Sequence, residues 1–374
     1  MKSYKHLFEE LLDETNIKLA MLNASKGKRD RKDVQEILNN YEEHVKIIKQ
    51  MLIEGTFKPK YHKPLLIKDK GSKKVRKIIC PDFAYEQIIH HLIILVLEPK
   101  FRERFYKFSC SSIFRRGGRY GKKYLEKFIY KNRNNKLYVL KFDICKFFDS
   151  ISRPVLYEKL KKYIKDEKFL SLLHKIIFYD LSLTGIPLGY FTSQWLSNFY
   201  LTEMDFYIKH TLKIKGYFRY ADDCVLVDTN KNKLHRALTK LRKYLKTQKL
   251  RIKDDWQIFR FSYVASDGVE RGRFIDFMGF KFYHNRTTIR KRILYNIRKR
   301  CNKLYKKWKY KKYINWFNSC QIISQLGWFK DTDSYTYFLN YIKPKVKFNK
   351  CKRLIRKHYK ECSTKQFIVK SCFL

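Results

Sequence analysis

The amino-acid sequence predicts an α+β fold in which apolar strands and a hairpin alternate with amphipathic helices. Residues 136–144 form a mostly apolar run of strand length, and residues 217–227 contain two apolar runs separated by a short polar turn. Apolar residues recur with helical spacing over residues 34–45. Residues 289–374 are helical in pattern and strongly basic, so we expect a helical C-terminal region after the strands.

The N-terminal third of the chain is predicted to contain helices and one basic hairpin. Residues 1 to about 55 form two helices joined by a polar, basic hinge. Residues 58–70 alternate like a strand, and a turn at residues 71–72 leads into a second strand, so that both arms of the hairpin are basic. Residues 84–98 form an apolar helix that ends at a Glu-Pro step, and the Gly-rich, basic stretch 109–133 leads into another helix.

Strands and helices alternate through the middle of the chain. The predicted order is a buried strand at 136–144, helices to about 178, a loop at 185–187, an amphipathic helix from about 193 to 209, the hairpin at 217–227, a helix at 232–246, a strand near 250–262 and a strand segment at 274–282.

The charge of the chain predicts a polyanionic partner. Lys and Arg number 84 against 35 Asp and Glu, which gives a net charge of +49. A positive field of this strength attracts nucleic acid and releases its counterions on binding. Aromatic residues make up 17% of the chain, and aromatics interleaved with basic residues suit base stacking. The alternative is a solvated basic surface on a protein from a Lys-rich proteome.

Cysteine usage and apolar runs predict a soluble protein of a reducing compartment. The nine cysteines show no Cys-x-x-Cys pair and no Cys/His ligand spacing, so we expect reduced thiols and a cytoplasmic location. The charged N-terminus lacks the apolar core of a signal peptide. The longest apolar run, residues 92–97, is too short to span a bilayer.

Three carboxylates stand where strands end. Asp143 closes the apolar run 136–144, and Asp222 and Asp223 form the tip of the hairpin 217–227. Paired carboxylates at a hairpin tip repel each other unless a divalent cation neutralises them. A third carboxylate on a neighbouring strand would complete a two-metal site, and oxygen ligands favour magnesium over zinc. The alternative is a polar hairpin turn without a metal.

Four motifs carry a resemblance to reverse transcriptases. Tyr-Ala-Asp-Asp at 220–223 resembles their signature hairpin, and residues 142–151 resemble the strand that bears their first catalytic aspartate. Residues 185–201 match without a gap the segment that packs on the template and the incoming nucleotide, and Phe-Met-Gly-Phe at 277–280 resembles the primer grip. The motifs occur in family order and cover about residues 60–285.

The resemblance implies a right-hand polymerase that copies RNA into DNA. It predicts an antiparallel sheet flanked by helices in the fingers and palm at residues 56–285, a helical extension at 1–55, and a basic helical thumb at 286–374. The implied partners are dNTPs, a cDNA product and a template RNA, which we expect to be a structured non-coding RNA. An accessory protein or a homo-oligomer stays open, and no membrane partner is expected.

The resemblance also assigns roles to individual residues. Asp143, Asp222 and Asp223 would be the catalytic ligands of two Mg²⁺ ions, with Mn²⁺ as the alternative ion and the Ile144 backbone carbonyl as a further ligand. Phe148 would be the steric gate against a ribose 2′-hydroxyl, while the neighbouring Phe147 serves the core. The other implied contacts are with nucleotide or template (Lys74, Arg76, Arg116, Gly189) and with the primer (Met278, Gly279). Three further acids are predicted to be structural: Asp149 as a helix cap, Asp205 as a helix-end charge and Asp228 as a strand-end residue.

Three positions depart from the pattern of intron-type enzymes. Leu188 stands where they have a Gln that positions the incoming nucleotide, and Gln194 stands where they have Pro. Both resemble enzymes of diversity-generating retroelements, which miscopy adenines, and some bacterial reverse transcriptases that act in phage defence. The third is Trp256, where related enzymes have a Lys that protonates the leaving pyrophosphate; Lys253 is the candidate substitute.

Two other functions stay open. The same metal site could serve template-independent or protein-primed DNA synthesis, because the chain has 28 tyrosines that could accept a nucleotide. A catalytically idle RNA-binding scaffold is the second alternative, and the intact acids argue against it because buried carboxylates without a cation are costly.

Overall fold

A computed structural model of the protein describes residues 3–68, 75–311, 314–330 and 332–370. The chain divides into two compact units. The first comprises Met1–Gly121 and Leu140–Ile258, and the second comprises Lys122–Val139 and Phe259–Leu374.

Helices dominate the chain before the first long strand, with a two-stranded sheet among them. The elements are α1 (Leu7–Leu12), α2 (Glu14–Ala24), α3 (Lys32–Asn39), α4 (Tyr41–Ile53), β1 (Leu65–Lys68), β2 (Val75–Ile78), α5 (Ile88–Arg104) and α6 (Gly118–Lys131). Then follow β3 (Tyr138–Asp143), α7 (Phe147–Ser150), α8 (Arg153–Tyr163), α9 (Glu167–Ile177), α10 (Phe191–Tyr200), α11 (Thr202–Phe206), β4 (Gly216–Tyr220), β5 (Asp223–Asp228), α12 (Lys231–Thr247) and β6 (Gln257–Arg260).

Short strands and long helices make up the rest of the chain. They are β7 (Tyr263–Val264), β8 (Glu270–Arg271), β9 (Ile275–Phe277), β10 (Phe280–Phe282), β11 (Thr287–Ile289), α13 (Lys291–Lys311), α14 (Trp316–Gln325), α15 (Tyr335–Tyr341) and α16 (Phe348–Lys370). The structure confirms the prediction that the basic stretch after residue 289 is helical.

The described N-terminal residues form four helices, so the prediction of two was wrong in number. Asp13 has extended backbone angles between α1 and α2, and its carboxylate accepts a hydrogen bond from the Thr15 N–H at 2.7 Å. This cap starts a new helix instead of continuing the first. Asn40 leaves the helical region between α3 and α4. The apolar spacing was correct, because Val34, Ile37 and Val45 are buried.

Helix α5 continues through Pro99 to Arg104, so the predicted stop at Glu98 and Pro99 was wrong. Proline removes one helical hydrogen bond, but the residues beyond it are held by packing. The buried Phe101 ring stacks on Phe199 with 4.6 Å between ring centroids. Burial of large aromatic rings after the proline offsets the lost bond.

The central sheet has the strand order β4-β5-β3-β6. Strands β4 and β5 form an antiparallel hairpin in which Tyr220 pairs with Asp223. Helix α12 packs against β5 through an apolar face that includes the buried Leu234, Leu238 and Leu241. The predicted antiparallel sheet flanked by helices is therefore confirmed.

Two predicted elements are shorter or more broken than expected. The strand expected near 250–262 reduces to β6, an antiparallel bridge between Ile144 and Ile252, and a parallel bridge between Phe261 and Arg273. The helix expected at 193–209 is divided into α10, α11 and a π-helical turn at Tyr207–Thr211.

The second unit contains a small antiparallel sheet with the order β11-β10-β9, which is followed by α13, α14, α15 and α16. An apolar cluster that includes Ile297, Leu304, Ile322 and Ile342 joins the helices. The domain boundaries at residues 55 and 285 stay predictions.

His90 on α5 predicts an acid-sensitive contact between α5 and α10. Its Nδ1 lies 2.9 Å from the Thr192 hydroxyl, and burial, followed by the charge of His91, lowers the pKa of His90 to about 3. The unfolded chain takes up this proton near pH 6.5 and the folded chain does not, so stability falls as pH falls below 6.5. For His90→Asn, which keeps an acceptor near Thr192, we expect the dependence of the unfolding free energy on pH to weaken by about 1.4 kcal/mol per pH unit between about pH 6 and 4. Urea unfolding at a series of pH values measures this, and an unchanged slope would contradict it.

Candidate active site

The hairpin between β4 and β5 presents two carboxylates on a tight turn. Ala221 and Asp222 are the two residues between the paired Tyr220 and Asp223. Ala221 has a φ of 54°, a left-handed conformation that costs a residue with a Cβ. The Arg219 Nη1 donates a hydrogen bond of 3.0 Å to the Ala221 carbonyl and so holds the turn in this conformation.

Asp143 is the last residue of β3, the strand beside β5 in the sheet. Its charge acts on both Asp222 and Asp223, so the three predicted acids share one region of the first unit. The backbone N–H of Lys253 donates to the Asp143 carbonyl at 2.9 Å. Ile144, the predicted backbone ligand, is fully buried and forms the bridge with Ile252.

Two lysines pair with these acids. The Lys253 Nζ lies 3.0 Å from Asp143 Oδ2, and the Lys141 Nζ lies 3.6 Å from Asp223 Oδ2. Burial alone would lower the pKa of Lys253, but the hydrogen bond to Asp143 and the charges of Asp143 and Asp222 raise it above its usual value. Lys253 is therefore held as an ammonium beside the acids, and its role as the substitute for the family lysine stays a prediction.

Burial makes the hairpin acids hard to ionise without a further cation. Burial raises the pKa of Asp223 to about 7, although Lys141 opposes the shift, and the charges of Asp143 and Asp222 add to it. The pKa of Asp222 is also raised, first by burial, while Lys253 and Arg76 act in the opposite direction. The two lysine ammonium groups therefore do not fully offset the burial of these acids and the repulsion among the three neighbouring carboxylates.

The donor set fits a divalent cation with oxygen ligands. Asp223 Oδ1 is buried and lacks a hydrogen-bond partner among the described residues, and a buried polar atom of this kind is costly unless a ligand satisfies it. Carboxylate oxygens are the ligands that magnesium prefers. Asp143, Asp222 and Asp223 could hold such an ion.

A second group of potential metal ligands lies elsewhere in the first unit. Within the described ranges, one set of three such side chains has its ligand atoms all within 4.8 Å of one another: His62, Asp82 and Glu86. The Glu86 oxygens already accept hydrogen bonds from His62 and from the backbone N–H groups of Lys60 and Asp82. Lys60 Nζ also lies 3.1 Å from Asp82, so this group is balanced without a metal.

The two phenylalanines after Asp143 occupy different environments. Phe147 is 3% exposed, whereas Phe148 is half-buried, and their rings meet edge to face at 5.6 Å. The Phe148 carbonyl accepts a hydrogen bond of 3.0 Å from the Ile186 N–H. Phe147 thus serves the core and leaves Phe148 available as the predicted gate.

The segment with Leu188 and Gly189 is hydrogen-bonded to Ile79, the residue that follows β2. The Leu188 carbonyl accepts a hydrogen bond of 2.7 Å from the Ile79 N–H. Gly189 has a φ of +115°, and a Cβ at this position would lie 1.9 Å from the Ile79 carbonyl oxygen. Only glycine allows this approach. Gln194 is exposed on α10, and its carbonyl accepts a hydrogen bond from Asn198.

The remaining nucleotide-binding predictions fall at different places. Arg76 on β2 lowers the pKa of Asp222 through its charge, so it belongs to the same region as the acids. Lys74 lies outside the described residues. Arg116 donates a hydrogen bond of 2.9 Å to the Tyr106 carbonyl. Trp256 packs against the Arg242 guanidinium, with 5.3 Å to the ring centroid.

The predicted primer grip is a tight turn in the second unit. Met278 and Gly279 connect β9 and β10, and both have positive φ, 52° and 87°. The Gly279 carbonyl accepts a hydrogen bond of 2.9 Å from the Arg290 N–H. A Cβ at Gly279 would lie 2.8 Å from the Trp328 ring, so the turn depends on this glycine.

Comparison with known proteins decides the family. The profile of the family described as reverse transcriptase (RNA-dependent DNA polymerase) matches residues 67–282, which is more than half of the chain. The chain belongs to the reverse transcriptase family. This membership supports RNA-directed DNA polymerase activity and the right-hand polymerase fold.

Curated relatives of this reverse transcriptase include intron-encoded proteins. It is 28% identical over 193 residues to the group II intron-encoded protein LtrA of Lactococcus lactis, covering 47% of this chain and 30% of the relative. It is 26% identical over 193 residues to an uncharacterized 91 kDa protein in the cob intron of Schizosaccharomyces pombe, covering 48% of this chain and 22% of the relative. The chain thus spans less than a third of the length of these relatives.

Among solved structures, telomerases are similar to this chain. Telomerase of Candida albicans, in complex with a fragment of telomeric RNA, aligns with a TM-score of 0.46 and 14% identity over 65% of this chain and 49% of the telomerase chain. A telomerase of Candida tropicalis without its C-terminal domain aligns with a TM-score of 0.46 and 14% identity over 61% and 54%.

Within the described residues of the reverse transcriptase, no helix combines the length and the apolar character needed to cross a membrane.

The structural acids of the reverse transcriptase were only partly predicted. Asp228 ends β5 and accepts hydrogen bonds from Lys215 and Asn230, as expected of a strand-end residue. Asp205 lies next to the last residue of α11, as expected of a helix-end acid, and it is fully buried in an ion pair with Arg219 that was not predicted. Asp149 lies inside α7, and Ser152 is the N-cap of α8, so the predicted cap was wrong.

Sequence reasoning missed Lys141 and Arg219. A signal for Arg219 was available, because a cation within a buried apolar strand requires a buried acid as its partner. Lys141 carries no such signal, since a lysine on the exposed side of a strand is usually solvated.

Gly189→Ala is expected to destabilise the reverse transcriptase more than an alanine at an open glycine. The new Cβ would collide with the Ile79 carbonyl and so displace the Leu188 carbonyl from its hydrogen bond. We expect a loss of about 2–4 kcal/mol in the free energy of unfolding.

Gly27→Ala is the matched control, because Gly27 also has a positive φ of +75°, but a Cβ added there would meet no described heavy atom within 4 Å. Its expected loss is about 1 kcal/mol, which reflects backbone strain alone. Equal losses in the two variants, measured by urea unfolding, would contradict the steric argument.

Proposed function

We propose that this chain is an RNA-directed DNA polymerase that extends a primer on a dedicated non-coding RNA of a retroelement. Asp143, Asp222 and Asp223 hold two Mg²⁺ ions in this proposal. The supporting observations are that the charges of these three carboxylates act on one another and that Asp223 Oδ1 is buried without a hydrogen-bond partner among the described residues.

Ions held by these carboxylates would supply activation of the primer 3′-oxygen and stabilisation of the charge on the leaving pyrophosphate. The 3′-oxygen forms a bond to the α-phosphorus of the dNTP, and the bond from that phosphorus to the pyrophosphate oxygen breaks. The 3′-hydroxyl proton passes to solvent. Lys253, held as an ammonium beside Asp143, donates a proton from Nζ to the pyrophosphate.

Selection of the sugar falls to Phe148 in this proposal. Its half-buried ring and its backbone bond to Ile186 support a rigid wall against a ribose 2′-hydroxyl. Arg76, whose charge reaches Asp222, contacts the triphosphate.

The second unit binds nucleic acid in this proposal. Helix α13 contains ten Lys and Arg residues among its 21, and the aromatic side chains of Tyr295, Tyr305 and Tyr310 stand exposed on it. This combination of charge and rings suits phosphate contact and base stacking.

In this proposal Leu188 is taken as a sign of an error-prone, diversity-generating role, whereas the Tyr-Ala-Asp-Asp hairpin and the basic helical thumb also fit a role in phage defence. An apolar side chain at this position removes a hydrogen-bonding group from the check on the incoming nucleotide. Ser193 and Gln194 follow the same pattern. The fixed Leu188 carbonyl leaves the side chain as the element that determines selectivity.

Asp222→Asn should abolish template-dependent DNA synthesis. The change removes one metal-binding charge from the hairpin while keeping its shape, and loss of such a group costs about 100-fold or more in rate. Primer extension with purified protein, Mg²⁺ and dNTPs on matched RNA and DNA templates measures this.

Asp267→Asn in the second unit is the control, since Asp267 pairs with Arg271 on an exposed turn, and we expect wild-type synthesis. Full activity of Asp222→Asn would contradict the assignment of the metal site. Product that ignores added template, or DNA attached to protein, would support the template-independent or protein-primed alternative. Failure on the native RNA would support an idle scaffold.

Leu188→Gln should lower misincorporation opposite template adenines. The added amide restores a hydrogen-bonding group beside the incoming nucleotide, and one such group contributes about 1–2 kcal/mol to discrimination, or about 5- to 30-fold. Sequencing of cDNA made on one RNA template measures the error spectrum. Leu188→Met, which keeps an apolar side chain of similar volume, is the control and should retain the wild-type spectrum. An unchanged spectrum in Leu188→Gln would refute the idea.

A further inference from the structure

The hairpin that carries Asp222 and Asp223 also carries a buried arginine, Arg219, which is paired with a buried acid. Arg219 and Asp205 are both 0% exposed. Arg219 Nε donates to Asp205 Oδ1 at 2.8 Å, and Nη2 donates to Oδ2 at 2.7 Å. This is the bidentate geometry in which a guanidinium and a carboxylate bind most strongly.

The third nitrogen of the guanidinium reaches two other elements. Arg219 Nη1 donates to the Ala221 carbonyl at 3.0 Å and to Asn198 Oδ1 at 3.0 Å. Asn198 lies on α10, and its Nδ2 donates to the carbonyls of Ser111 and Gln194. One side chain therefore contacts the catalytic turn and the helix that follows Leu188.

The backbone of Arg219 joins the same junction to a third segment. Its N–H donates to the Phe108 carbonyl at 3.0 Å, and its carbonyl accepts from the Cys110 N–H at 2.8 Å. Residues 108–111, which lead toward Arg116, are thereby fixed against β4 by Arg219 and Asn198.

We propose that Arg219 is a positioning residue that sets the conformation of the catalytic turn and couples it to α10. The inference rests on the proposed function, because it concerns the aspartates assigned to the metals. Asp205 orients the guanidinium in two bonds. The remaining nitrogen then holds the Ala221 carbonyl, so the residue before Asp222 keeps its strained positive φ and both hairpin carboxylates keep their direction.

Arginine is required at this position by geometry. Its planar fork offers donors in fixed directions, so bonds to Asp205, Asn198 and Ala221 form together. A lysine can satisfy Asp205, but its single nitrogen cannot reach the three partners in the same arrangement. Burial of the Arg219–Asp205 pair adds little net stability, because the cost of desolvation offsets the attraction between the charges. The main effect of the pair is therefore on the conformation of the turn.

The experiment separates shape from stability with two variants. Arg219→Met combined with Asp205→Asn removes both charges and keeps an acceptor for the Tyr217 hydroxyl, which donates to Asp205 at 2.6 Å. Arg219→Lys keeps the charge pair and removes the fork. Asp228→Asn is the matched control, because it loses an ion pair with Lys233 at the far end of the same hairpin.

Three measurements are made on the full chain: thermal unfolding, binding of Mn²⁺ alone by electron paramagnetic resonance, and the single-turnover rate of dNTP addition on an RNA template. We expect both Arg219 variants to unfold cooperatively, to bind Mn²⁺ more weakly and to react about 100-fold more slowly, the loss typical of a misplaced reacting group. Asp228→Asn should lower the unfolding temperature without changing Mn²⁺ binding.

Wild-type Mn²⁺ binding and rate in a folded Arg219 variant would overturn the proposal and leave the pair a purely structural role. If the double variant does not fold, Arg219→Lys decides by the same two readouts. Asp222→Asn in the same assay distinguishes failure of the proposed function from failure of the positioning role. If Asp222→Asn also retains the wild-type rate, the proposed function fails. If Asp222→Asn is inactive while the Arg219 variants are normal, only the positioning role fails.

Discussion

The arrangement of this region depends on the repulsion between carboxylates at one end of the two inner strands of the sheet, β3 and β5. Asp223 is buried enough that its pKa rises to about 7, and its neighbours Asp143 and Asp222 add to the shift. The net charge of +49 does not relieve this, because charges beyond about 10 Å are screened by salt. Among the described cations, Lys141 and Lys253 form ion pairs with these acids, and each contacts one of them.

A fold can keep repelling groups together only if the backbone beneath them is fixed. Here the backbone is fixed by the buried guanidinium of Arg219 at the hairpin turn and by the segment around Lys253 next to β3. Arg219 holds the Ala221 carbonyl, and Lys253 holds the Asp143 carbonyl through its own backbone N–H. Local strain at Ala221 is thereby maintained by the surrounding structure, as is common at functional sites.

The sequence predicted the parts of the site that depend on local pattern. Apolar strands that end in acids place Asp143 and the hairpin pair correctly, because strand burial and turn polarity are readable from neighbouring residues. The pairing of Asp205 with Arg219 was not predicted, since it depends on how α11 packs beside β4. The sequence interpretation of Asp205 as a structural charge at a helix end named no partner for it.

Broken elements explain the other differences. Strict family register selects Trp256 as the counterpart of the family lysine, with Lys253 as the candidate substitute. The strand expected over residues 250–262 is broken, with a bridge at Ile252 and β6 beginning only at Gln257, and Lys253 pairs with Asp143. The stop predicted at Pro99 failed because aromatic packing beyond the proline outweighs one missing hydrogen bond.

The hydrogen bond between the Ile79 N–H and the Leu188 carbonyl fixes the backbone at the position for which we propose a role in nucleotide selection. Two contacts with Ile79 fix the backbone at residues 188 and 189. The Ile79 N–H donates a hydrogen bond to the Leu188 carbonyl, and the Ile79 carbonyl oxygen lies so close to Gly189 that a Cβ there would be only 1.9 Å away. Neither constraint involves the Leu188 side chain, which is half-exposed. Under the proposed function, a change of that side chain alters what the incoming nucleotide meets while the backbone and the carboxylates stay in place. The proposal therefore separates fidelity from catalysis, because it assigns fidelity to a replaceable side chain and catalysis to carboxylates whose backbone is fixed.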